Sequence, residues 1–191
     1  MESRDFEIIL LQRLDDCHHI VVIGIGADLR EDDAVGNLLA CELVASIKEL
    51  LDTMGNNDYV YSENEYIRGG QILVLNASVA PEQYISMVKG FAPEKIIIVD
   101  AAKMGAAANP GDMAFIETDE LDMSTFSTHT ISLRYFIEIL KTMGLDAEFF
   151  VIGIQPASLG YGEALSRPVE ETKVFLKSLL LEYMQRNCLN T

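Results

Sequence analysis

Three stretches of this chain are apolar and rich in β-branched residues almost from end to end: His19–Gly26 (HIVVIGIG), Lys95–Asp100 (KIIIVD) and Glu148–Ile154 (EFFVIGI). A strand with one wet face alternates apolar and polar residues. These do not alternate, so each is expected to lie in a sheet covered on both faces. The intervening segments supply the cover. Val35, Leu39, Leu43, Ile47 and Leu51 recur every four residues, the buried stripe of a helix through about Asp52. Leu133, Phe136, Ile137 and Leu140 mark another helix, and Val169–Gln185 a closing one. Pro81 suits the first turn of a helix running to about Lys89.

Gln71–Asn76 (QILVLN) reads as a further strand. So does Met113–Glu117, after Asn109-Pro110-Gly111-Asp112, which has proline and glycine where a type II turn wants them. Strands alternating with helices at this spacing predict an α/β fold: a three-layer αβα sandwich on a mostly parallel, five-stranded twisted sheet. The length of 191 residues favours one domain, 1–191. Phe6, Ile9, Leu10 and Leu14 predict a short amphipathic helix at the start. Residues 54–71 (MGNNDYVYSENEYIRGGQ) are polar and glycine-containing, and read as a loop or insertion with room for a short strand at Tyr59–Tyr61.

Thirty Asp and Glu against fourteen Lys and Arg give a formal net charge of −16. Such a chain repels phosphate backbones, so no nucleic-acid partner and no anionic membrane surface is expected. A cationic metal or a basic protein surface fits better. Cys17, Cys41 and Cys188 form no CxxC pair, which disfavours a disulfide framework and a thiolate zinc site. The opening MESRDFEIILLQRLDD reads as neither a signal peptide nor a membrane span, so a cytoplasmic setting without membrane insertion is expected.

Ligands of open α/β sheets bind beyond the carboxyl ends of the strands. The first strand there leads into Ala27-Asp28-Leu29-Arg30-Glu31-Asp32-Asp33, the Lys95–Asp100 strand ends on Asp100, and His129 immediately precedes a helix. All three places fall on one edge. Two carboxylates and an imidazole converging there form a mixed oxygen and nitrogen set, suited to nickel or zinc rather than calcium. A helix N-terminus disfavours imidazolium and favours the neutral, metal-binding ring. Taken singly, Asp32 and Asp33 fit helix-start acids, Asp100 a strand-end hydrogen-bonding residue and His129 a capping histidine. The GxG of Gly24 and Gly26 lacks the full dinucleotide spacing and is followed by acids, which argues against NAD, FAD or another organic cofactor. His18 and His19 lie at the opposite edge and read as structural or surface residues. No serine elbow or cysteine–histidine pair indicates a conventional nucleophile.

In order, VVIGIGADLREDDAVGNLLA (Val21–Ala40), APE (Ala80–Glu82), IIIVDAAKMG (Ile96–Gly105), NPG (Asn109–Gly111), STHTISLRYFIEIL (Ser127–Leu140), GIQP (Gly153–Pro156) and Arg167-Pro168 resemble the nickel–iron hydrogenase maturation endopeptidases. Within that family they resemble most the branch that processes hydrogenase 3-type large subunits. The resemblance spans roughly residues 20–185 and leaves 1–17 as an N-terminal extension. It implies an endopeptidase that removes a short C-terminal peptide from the immature large subunit after nickel insertion. The nickel would come with the precursor. The family's nickel-sensing residues fall on Asp33, Asp100 and His129; Asp33 matches as the second member of the acidic pair, leaving Asp32 as a helix-start acid.

Two positions depart from the family. Asn76-Ala77-Ser78 stands where members have an Asp-Gly-Gly type stretch, which puts any proton-transfer role of Asn76 in question, and Ala27 stands where they have asparagine. A non-catalytic, metal-dependent maturation chaperone or binding module on the same fold is the competing expectation.

Overall fold

The computed structural model describes residues 3–15, 17–118 and 130–189. Its helices are α1 (Ser3–Arg13), α2 (Val35–Thr53), α3 (Ile85–Phe91), α4 (Thr130–Thr142) and α5 (Arg167–Asn187). The strands are β1 (Ile20–Gly24), β2 (Tyr59–Ser62), β3 (Tyr66–Gly69), β4 (Ile72–Asn76), β5 (Lys95–Ala101), β6 (Met113–Ile116) and β7 (Glu148–Ile154). Short 3-10 turns at Glu31–Ala34 and Pro81–Tyr84 lead into α2 and α3.

The apolar runs form the middle of the sheet. Side chains of β1 alternate between two cores: Ile20 and Val22 pack with α1, α2 and α5, whereas Val21 and Ile23 pack with α3 and α4. Each fully buried Ile, Val, Leu or Phe contributes roughly 1.5–3 kcal/mol. The three-layer expectation therefore stands on side chains that leave neither face to water.

The sheet itself differs from expectation. It has seven strands in the order β2-β3-β4-β1-β5-β7-β6 and is mixed. Only β4, β1, β5 and β7 run parallel; β3 pairs with β4, β2 with β3 and β6 with β7 antiparallel. The segment read as a loop or insertion folds into the β2–β3 hairpin, with β2 on the short strand expected at Tyr59–Tyr61 and the turn at Asn64, whose φ is 59°. As an edge hairpin it buries little: of β3 only Ile67 and Gly69 are buried, and no residue of β2 is. That leaves it without the apolar run of a central strand. The β6 strand reverses because no helix separates it from β5, and a parallel return needs a crossover.

The N-terminal segment is part of the structure rather than padding. Phe6, Leu10 and Leu14 are fully buried, and Phe6 stacks on Phe115 of β6 with ring centroids 4.7 Å apart. The Tyr183 hydroxyl of α5 sits 2.6 Å from the carbonyls of Leu14 and Cys17. His18 and His19 lie at the amino edge, donating their backbone N–H groups to Glu94 at 2.8 and 3.1 Å, and His19 stacks on Phe91. On the other side, the buried Lys173 of α5 pairs with Glu42 of α2 and with Glu170, tying α2 to α5.

Candidate functional site

The chain leaves β1 toward β4 on one side and reaches β5 on the other, so the β1/β5 junction is the topological switch point of the sheet. Crevices at such points hold ligands in α/β folds. Asp33 and Asp100 flank this junction. Asp33 sits in the 3-10 turn after β1 and is 1% exposed; Asp100 sits near the carboxyl end of β5 and is 2% exposed.

Two glycines let the turn approach so closely. A Cβ at Gly36 would lie 2.2 Å from the Val99 carbonyl oxygen and 2.3 Å from that of Ile25, so α2 starts directly against the ends of β1 and β5. A Cβ at Gly26 would lie 1.9 Å from the Asp33 carbonyl oxygen. Any other residue at either position pushes the turn away from the sheet.

Asp32 is more than a helix-start acid. Its side chain is fully buried and reaches across to the segment between β7 and α5. One oxygen accepts the N–H groups of Ala157 (2.7 Å) and Ser158 (3.2 Å) and the Ser166 hydroxyl (2.8 Å); the other accepts the Ser166 N–H at 2.6 Å. Its neighbours add to the seam. Arg30 donates to the Leu159 carbonyl at 2.9 Å, and Glu31 accepts from the Gly160 N–H at 3.2 Å. The Glu31 N–H donates to the Gly162 carbonyl at 2.9 Å.

Asn76 closes the far side, at the end of β4 and in register with Gly24 of β1. Its amide nitrogen donates to the Asn64 carbonyl (3.0 Å) and to the Cys41 sulfur (3.1 Å), while its oxygen accepts the Ser78 N–H (3.1 Å). These bonds tie the strand end to the hairpin and to α2. Burial raises the Cys41 thiol above its ordinary range, which keeps it protonated beside the amide. Asn37, also fully buried, donates to the Gly26 carbonyl and to Asp28 at 2.9 Å, fixing the loop after β1. The one sequence sign of Asn37 was a polar residue on the buried side of α2.

The remaining motifs scaffold the same edge. The Asn109–Asp112 turn is type II as expected: Gly111 has a φ of 87°, and the Asp112 N–H donates to the Asn109 carbonyl at 3.0 Å. Gly111 abuts Pro168 at the start of α5, and the Thr172 hydroxyl donates to its carbonyl at 2.7 Å. The Gln155 side chain accepts the Met104 N–H at 2.7 Å, holding the loop that follows β5.

His129 lies outside the described residues. Among the described residues no group of three or more His, Cys, Asp and Glu is placed to hold a metal. What the structure brings to one edge is three buried aspartates, Asp32, Asp33 and Asp100, of which Asp32 is taken up by the segment between β7 and α5. A carboxylate there offers oxygen ligands to a divalent ion or a site for a proton. No helix among the described residues is long and apolar enough to cross a membrane.

A hydrogenase maturation protease family model matches residues 59–182. The chain is 32% identical over 152 residues to a Methanocaldococcus jannaschii protein provisionally named a hydrogenase maturation protease, covering 80% of each. It is 29% identical over 153 residues to the hydrogenase 3 maturation protease of Escherichia coli K12, covering 79% of this chain and 81% of that one. In three dimensions it resembles the crystal structure of a NiFe hydrogenase maturation protease from Thermococcus kodakarensis, with a TM-score of 0.72 and 28% identity. That superposition covers 93% of this chain and 99% of the other.

Proposed function

The chain belongs to the hydrogenase maturation protease family, and on that premise we propose that it cuts a short C-terminal peptide from the nickel-loaded precursor of a nickel–iron hydrogenase large subunit. It is a peptide-bond hydrolase of hydrogenase maturation, and the finer reading concerns how it selects its substrate. Nickel travels with the precursor, held by that protein's cysteine thiolates. Asp33, Asp100 and His129 fill its open positions, so an unloaded precursor offers nothing to ligate. Borderline nickel accepts such a mixed oxygen and nitrogen set.

The observation that carries this reading is the burial of Asp33 and Asp100 on either side of the β1/β5 junction, in a chain matched to the family over residues 59–182. Two carboxylates at a switch point, on a chain of net charge −16, suit a cationic centre delivered by a partner. The bound ion polarises the scissile carbonyl or a water as a Lewis acid. Asn76 takes no proton in this scheme, because both its polar atoms already serve backbone and thiol groups. The same reading places the protein in the cytoplasm.

The test is the intact mass of a candidate precursor incubated with this protein, with and without prior nickel loading. Loss of one C-terminal peptide from the loaded form alone is expected. Binding of a loaded cognate precursor without any loss of mass would instead identify a maturation chaperone.

A further inference from the structure

We infer that Asp32 is a positioning residue for Asp33, acting through a clamp on the segment 157–166. This rests on the reading of Asp33 given above and adds a residue to it. The clamp is built unlike an ordinary first-turn acid. A fully buried carboxylate takes four donors, three of them backbone N–H groups, from residues 125 to 134 positions away in sequence. None of those donors belongs to its own turn. Charge-assisted bonds of this kind are the strong ones, and removing the acceptor leaves buried donors unmet.

The consequence for Asp33 follows from adjacency and backbone. The two aspartates are consecutive in one 3-10 turn, where a rotation that frees one side chain swings the next. Just before them, Glu31 holds a φ of 44°, a left-handed conformation costly for a residue with a side chain. Such strain persists only where the surroundings over-determine it. Here they do so through the Glu31 N–H to Gly162 bond, the Gly160 N–H to Glu31 bond and the four bonds to Asp32. Release of Asp32 lets the turn relax, and Asp33 moves with it.

Asp32→Asn is the discriminating change. An amide is nearly the same size, but whichever way it is turned its NH2 group faces at least one backbone N–H, of Ser166 or of Ala157. Ser166→Ala is the milder partner, removing only the hydroxyl bond. Full-length variants are compared for the processing of nickel-loaded precursor per folded molecule, and for amide exchange at Ala157, Ser158 and Ser166.

Asp32→Asn is expected to expose those amides and lower kcat/KM at least tenfold, mainly through KM. For Ser166→Ala the expected loss is about threefold in a chain of nearly native Tm. Kinetics within twofold of wild type with the amides exposed would make the clamp merely structural and overturn the inference. Protected amides would overturn it whatever the kinetics. Should Asp32→Asn not fold, Ser166→Ala decides alone, and unchanged kinetics there overturn it. Asp33→Asn separates this from the underlying reading. If Asp33→Asn processes normally, the reading of Asp33 is wrong. If it is inactive while Asp32→Asn is fully active, only the clamp fails.

Discussion

The carbonyl oxygen of Asp33 occupies the place where a side chain on Gly26 would begin, 1.9 Å from the position of a Cβ. Backbone meets backbone there, so neither partner can swing aside. Gly26→Ala is expected to cost about 3 kcal/mol or more, the upper end for overpacking. Urea denaturation measures it. A loss below about 1 kcal/mol would mean that the turn carrying Asp33 is free to move outward.

The N-terminal helix makes a separate claim. Phe6 is fully buried and stacks on Phe115, so Phe6→Ala is expected to destabilise by about 3–5 kcal/mol. The same denaturation experiment checks it. An effect under about 1 kcal/mol would return α1 to the status of a detachable extension.

Asn76 stands where the resemblance places an aspartate. Asn76→Asp would turn a donor into an acceptor facing the Asn64 carbonyl, now 3.0 Å from the amide nitrogen. We expect a loss of about 1–3 kcal/mol, the penalty of a mispaired polar group, and no gain in processing. A severalfold rise in kcat at unchanged stability would show instead that this position has a catalytic use the asparagine forgoes.

These residues also show what a sequence carries and what it hides. The central strands were legible because burial on both faces leaves an unbroken apolar run, as in Lys95–Asp100. Of the β2–β3 hairpin only the short strand at Tyr59–Tyr61 was legible, since an edge strand keeps polar residues and looks like a loop. Strand direction at β6 depends on whether a helix intervenes, which the type II turn at Pro110 does not by itself reveal. At the site, strand-end position led to Asp100 and to the acidic loop 27–33, while Asp33 was singled out within that loop only by the family resemblance. The bonds of Asp32 could not, because its partners at 157, 158 and 166 lie more than 120 residues away. Asn37 likewise gave only the sign of a polar residue on a buried face.

Two thiols predict an alkaline limit to stability. Burial pushes Cys17 up to about 11 and Cys188 up to about 12, from an ordinary 9.0. Native thiols therefore keep protons that the unfolded chain releases. Their contribution is fully present below pH 9.0 and declines as the pH rises through 11 and 12. A falling Tm across that window is expected, with a shallower fall in Cys188→Ala. At pH 8 a thiol-specific disulfide reagent should leave both untouched in the native protein. Rapid modification of either would contradict their burial.

In the function proposed above, nickel in the precursor is what the protease recognises through Asp33, Asp100 and His129. Intact-mass analysis of loaded and unloaded precursor, with wild type and with Asp33→Asn, Asp100→Asn and His129→Ala, tests it most directly. One peptide should be lost from the loaded precursor with wild type, and none from the unloaded form or with any variant. Equal cleavage of loaded and unloaded precursor, or full processing by His129→Ala, would contradict it.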